Sequence, residues 1–146
     1  METGARRRWR VPPGQVAVKC VAAAAVTALV VLYRHDYQFL FLAAVAAVGL
    51  NGLALRDLLA PVRLSADGEG MTVVSGYAGH RHVPWREVTS IRVDERRRVL
   101  ARTRILEIET TDDLHLLSAF DLGADVHDVA DELYRIRART SPEPPR

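Results

Sequence analysis

From Gln15 to Leu55 the chain is almost continuously apolar, broken only by Tyr33-Arg34-His35-Asp36-Tyr37-Gln38. The flanking blocks, residues 16–32 and 39–55, each approach the ~17–25 residues a helix needs to cross a bilayer's hydrocarbon core. A helix also keeps every backbone N–H and C=O bonded within its own segment, as hydrocarbon demands. Two such blocks, separated by six mostly polar residues, predict a transmembrane helical hairpin over residues 15–56. A basic N-terminus, residues 1–14, precedes it. The remainder divides into one small domain, residues 61–139, and a proline-rich tail, residues 140–146, expected to be disordered.

Arginine and lysine near the ends of the blocks set the orientation. Arg6, Arg7, Arg8, Arg10 and Lys19 precede or open the first block, and Arg56 and Arg63 follow the second, whereas the connecting loop offers Arg34 alone. The positive-inside rule then places both termini in the cytoplasm of a multi-pass plasma-membrane protein. A cleaved signal peptide is the rival reading, but the apolar run continues to Tyr33 without a convincing small-x-small cleavage site followed by a mature start. Lys19 is expected to snorkel toward the headgroups. Cys20, the only cysteine, allows no intrachain disulfide and reads as a small apolar residue. Gly49, Asn51 and Gly52 suit close helix packing, either between the two hairpin helices or in a homo-oligomeric contact.

After Pro61 the period changes. Val62-Arg63-Leu64-Ser65-Ala66 alternates and ends in the turn Asp67-Gly68-Glu69-Gly70. Similar runs follow at Met71–Ser75 and His80–Val83, the latter closed by Pro84, and at Thr89–Asp94. Leu106 and Ile108 then point inward with Glu107 and Glu109 outward, and Thr111-Asp112-Asp113 turns the chain into Leu114–Ser118. The last element has a helical stripe, Val126, Val129, Ala130, Leu133 and Ile136 or Arg137, with acids early and arginines late to match the helix dipole. This order predicts an α+β domain: a strongly bent antiparallel sheet or small barrel of six to seven strands, plugged by a C-terminal helix.

Within that pattern, Val83-Pro84-Trp85-Arg86-Glu87-Val88-Thr89-Ser90-Ile91-Arg92-Val93 resembles the Pro-Trp-x-x-Val/Ile-x-x-Ile signature of bacterial pleckstrin-homology-like domains. It is similar in particular to the actinobacterial group named after low molecular weight protein antigen 6, whose members often stand behind two membrane helices. Leu64–Gly70 and Leu122-Gly123-Ala124-Asp125 fit the same group. The resemblance covers roughly Val62 to Arg139 and implies a pleckstrin-homology (PH) fold without an active site. It carries over no ligand.

The densest charge feature is the stretch from Arg92 to Arg104, which includes Arg96, Arg97, Arg98, Arg102 and Arg104. It reads as a loop or hairpin tip between strands. Guanidinium forks suit phosphate and carboxylate geometry, so these five arginines are candidates for anionic headgroups or an acidic partner. The plainer reading pairs them with Glu107, Glu109 or Asp112 as a solvated loop.

His80 and His82 share a strand face and His115 lies on another, but no cysteine or carboxylate completes a zinc set. Asp121, Asp125 and Asp128 do not match a calcium loop; Asp125 and Asp128 read instead as a helix cap. No nucleophile elbow, phosphate-binding glycine loop or zinc-protease helix is present, so no catalytic residue, metal or cofactor is assigned. Aromatics do not alternate with the arginines, which argues against nucleic acid. The expectation is a non-enzymatic, membrane-anchored interaction module, with an assembly subunit acting through its hairpin as the alternative.

Overall fold

The computed structural model describes residues 6–98 and 101–140, with the backbone alone described at Arg98 and Ala101. It divides into two compact units, residues 11–61 and residues 6–10 together with the chain from 62 onward. The tail after Thr140 and the first five residues lie outside the described part.

The first unit is a pair of helices, α1 (Pro13–Leu32) and α2 (Tyr37–Leu59). At 1.5 Å per residue they are about 30 and 34 Å long. Both are long and apolar enough to cross a membrane, and only 6% of each apolar window is buried. A core helix of a soluble protein would hide these side chains. Here Val18, Val21, Phe41, Leu42 and Val48 face outward instead. Pro13 sits in the first turn of α1, where a missing N–H costs nothing. The Asp36 side chain starts α2 by accepting from the Gln38 and Phe39 N–H groups.

Inside the pair, Lys19 Nζ donates to Asp57 Oδ2 at 2.5 Å. Lys19 therefore holds a carboxylate whose side chain is only 4% exposed, rather than snorkelling alone. A buried carboxylate needs such a counter-charge.

The second unit is the domain. One antiparallel sheet runs in the order β1 (Arg7–Arg10), β2 (Val62–Ala66), β3 (Gly70–Ser75), β4 (Gly79–Pro84). The other runs β5 (Val88–Arg98), β6 (Ala101–Thr110), β7 (Leu114–Ser118). A short helix α3 (Ala119–Leu122) and the C-terminal α4 (Val126–Thr140) complete it. The core joins Leu64, Met71, Val73 and Val83 of the first sheet to Ile91, Leu106 and Ile108 of the second. Val126, Val129, Ala130 and Leu133 of α4 close it, the stripe its period predicts. Trp85 lies in the turn between the sheets, and its Nε1–H donates to the Asp67 carbonyl at 2.9 Å.

Val88 and Ile91 are both buried although three residues apart in one strand. A register shift between Val88 and Ser90 inserts one extra residue, which returns both side chains to the core face. Gly70, at the start of β3, has no room for a side chain: a Cβ there would stand 2.8 Å from Pro84 Cα.

β1 is the element sequence reading does not foresee. Arg7, Arg8, Trp9 and Arg10 pair antiparallel with Ala66, Ser65, Leu64 and Val62. Trp9 packs against the core, while Arg6 and Arg7 are paired with Asp67 and Glu132. The basic N-terminus thus contributes an edge strand, and the hairpin is an insertion between two adjacent strands of one sheet.

Candidate functional site

The arginine-rich stretch is not a loop. β5 and β6 stay in register from Val93↔Leu106 out to Arg98↔Ala101, forming a two-stranded arm. Side chains alternate faces along a strand, so the core-facing rows Ile91/Ile108 and Val93/Leu106 continue outward as Glu95/Arg104 and then Arg97/Arg102. Two β-strands continue past the core, and their inward face changes from apolar to charged.

Pairing sorts the five candidate arginines. Arg96 Nε donates to Asp94 Oδ2 at 2.7 Å, which raises its already high pKa. Arg104 Nε meets Glu95 Oε1 at 3.0 Å and its Nη1 meets Asp125 Oδ2 at 3.3 Å. His127 Nε2 also lies 3.3 Å from Glu95 Oε1. The His127 hydrogen bond first, then the Arg104 charge, hold the Glu95 carboxyl below its ordinary value of 4.5. These contacts pin the base of the arm to the start of α4.

Arg97 and Arg102 remain. They are direct cross-strand neighbours, both exposed, and have no ion-pair partner among the described residues. Arg102 acts on Glu95 only through its field. The side chain of Arg98 lies outside the described residues. Two like charges placed opposite each other destabilise a strand pair.

The acidic partners differ from those the sequence suggests. Asp94, Glu95 and Asp125 carry the arm's arginines, whereas Asp112 is engaged by Arg81 at 3.2 Å and Glu109 accepts from Ser90. No local signal identifies Asp125, which is 21 residues from Arg104.

His82 Nδ1 lies 3.3 Å from Thr72 Oγ1, and His115 is buried on β7. Asp125 caps α4 by accepting the His127 N–H at 2.8 Å, but the reciprocal pair forms at Ser118 and Asp121, at the start of α3. Among the described residues no three His, Cys, Asp or Glu gather into a metal-sized cluster.

In the hairpin, Asn51 Nδ2 donates to Thr27 Oγ1 of the other helix at 3.1 Å and to Ala47 O at 2.7 Å. A Cβ at Gly49 would meet nothing within 4 Å, so Gly49 makes no close approach to α1. Gly52 lies on the same helix, one residue after Asn51.

Two antiparallel sheets closed by a C-terminal helix, with Trp85 locking the turn between them, define a PH-like domain. A family model described as bacterial PH domain matches residues 61–139, over half of the chain. The chain belongs to the bacterial PH domain family. No curated protein and no solved structure matches it.

Proposed function

We propose that this is a non-enzymatic, membrane-anchored interaction module whose PH-like domain works on the cytoplasmic face of the plasma membrane. The hairpin holds the domain there, and the arm engages an acidic protein partner or anionic lipid headgroups. One observation carries the reading: Arg97 and Arg102 face each other across β5 and β6 without a counter-charge among the described residues. Their neighbours Arg96 and Arg104 are already neutralised by Asp94, Glu95 and Asp125.

The chain path supports the orientation. β1 enters α1 and β2 leaves α2, and the two strands are hydrogen-bonded neighbours. The Val11 N–H also donates to the Pro61 carbonyl at 2.9 Å, tying the two ends of the hairpin together. Both ends on one side of the bilayer satisfy that pairing, and the arginines beside them favour the cytoplasmic side.

The alternative, an assembly subunit acting through the hairpin, draws less support. Both Asn51 N–H groups are used within the hairpin, so the amide has no donor left for a neighbouring helix.

An in-membrane crosslinking experiment on the full chain tests the reading. Species crosslinked to the domain should be lost in an Arg97→Gln/Arg102→Gln double variant and kept in Arg96→Gln. An identical crosslinking profile in all three would sink the role of the arm. Crosslinks confined to the hairpin would favour the assembly reading.

A further inference from the structure

We propose that the free edge of β6 at Arg102, Thr103 and Arg104 accepts an extended acidic segment of a partner protein as an added strand. This deepens the arm reading and rests on it. β6 pairs with β5 along its whole length, out to Arg98↔Ala101, but its pairing with β7 stops at Ile105↔Ser118. At Ser118 the chain leaves the sheet because a reciprocal cap forces it into α3. The Ser118 N–H donates to Asp121 Oδ2 at 3.1 Å, and the Asp121 N–H donates to Ser118 Oγ at 3.3 Å. Residues 101–104 of β6 are therefore strand on one side and unpaired on the other, among the described residues.

A free strand edge presents a row of N–H and C=O groups to any extended segment of matching length. Four residues span about 13 Å at the strand rise, enough for a short ladder. Arg102, Thr103 and Arg104 are exposed and border a groove of about 450 Å³, whose far wall includes Ala119, Phe120, Asp125 and Val126; the Asp125 carboxylate there is already taken by Arg104. Phe120 stands 71% exposed, an aromatic ring available to an apolar side chain of the incoming segment.

Charge selects the occupant. Arg102 faces Arg97 across the arm and has no ion-pair partner among the described residues, so an acidic side chain beside it relieves a like-charge contact. The same arginines repel a second copy of this arm, which works against edge-to-edge association of the chain with itself. An acidic strand carrying one apolar residue satisfies ladder, ring and cation together.

The test uses the full chain in nanodiscs of zwitterionic lipid. The probe is a hexapeptide alternating glutamate with valine and phenylalanine, alongside the same peptide N-methylated at alternate residues. Binding should slow hydrogen exchange at alternate amides of residues 102–104. Arg102→Glu, Phe120→Ala and N-methylation of the probe should each weaken it about tenfold. If the N-methylated peptide binds as tightly as its parent, strand addition is overturned while the arm still stands as an anion site. A second sample, with anionic lipid mixed into the nanodisc, separates the lipid source: strand addition falls in the same way if the peptide does not bind but the anionic lipid protects the arm. If Arg102→Glu alters neither peptide nor lipid engagement, strand addition and the arm reading fall together.

Discussion

Replacing Arg97 by glutamate should strengthen the arm while weakening what it binds, a pair of effects that a merely solvating arginine would not show. Arg97 lies directly across from Arg102, beyond the last core-facing row at Val93 and Leu106. Like charges in that position cost roughly 0.2–1 kcal/mol, and opposite charges gain a similar amount. Arg97→Glu swings from one to the other, about 1 kcal/mol in all, or roughly a fivefold change in the equilibrium for opening the arm. The core beneath is untouched, so the change belongs to local opening rather than to global unfolding.

Native-state hydrogen exchange of the full chain in neutral nanodiscs reads it directly. The amides among 95–98 and 101–104 that bond across the β5–β6 pair should exchange about fivefold more slowly, and those around Leu106 and Ile108 should not change. At ~1 M salt, where the Debye length shrinks to ~3 Å, most of the gain should vanish. Capture of anionic probes by the same variant should drop. Faster exchange in the arm, or a gain that survives high salt, would refute the like-charge account of Arg97 and Arg102.

Two further outcomes follow from the geometry. Glu95 titrates below its ordinary 4.5 in the folded chain because of His127 and Arg104, so its contribution is complete above that value and disappears as pH falls through the lower, folded one. Protection where the arm meets α4 should hold from neutral pH down to about 4.5 and fall away below it, and Glu95→Gln should abolish the acid step. In the hairpin, Asn51→Leu removes the bond to Thr27. Fluorescence transfer between labels at the helix ends, followed through unfolding in mixed micelles, should show a loss of about 0.6–1 kcal/mol. A hairpin equally stable without the amide would remove the role given to that bond.

Much of the architecture is legible in the residues because the signals are local. Apolar length marks α1 and α2, a helical stripe marks α4, and alternation with turn residues marks β2, β3, β4 and β7. The arm is less legible. Alternation of apolar side chains stops near Asp94, yet β5 runs on to Arg98 because cross-strand pairing with residues 101–104, rather than burial, keeps it extended. β1 gives no local signal at all: Arg-Arg-Trp-Arg has no apolar period, and its partner strand begins at Val62, beyond the whole hairpin.

The candidate site divides the same way. Composition alone points to the five arginines, but whether each is spent or available depends on register and on a helix start far along the chain. Asp94 takes Arg96, and Glu95 with Asp125 takes Arg104. Only the folded arm sets Arg97 opposite Arg102. Only the cap at Ser118 ends β7 early enough to leave an edge beside them. The amino-acid sequence by itself determined that this chain carries an apolar hairpin and a PH-like domain, since apolar length and periodicity are written residue by residue. The tertiary structure alone decided that the hairpin interrupts a sheet and which charges stay unpaired, because those are properties of neighbours in space.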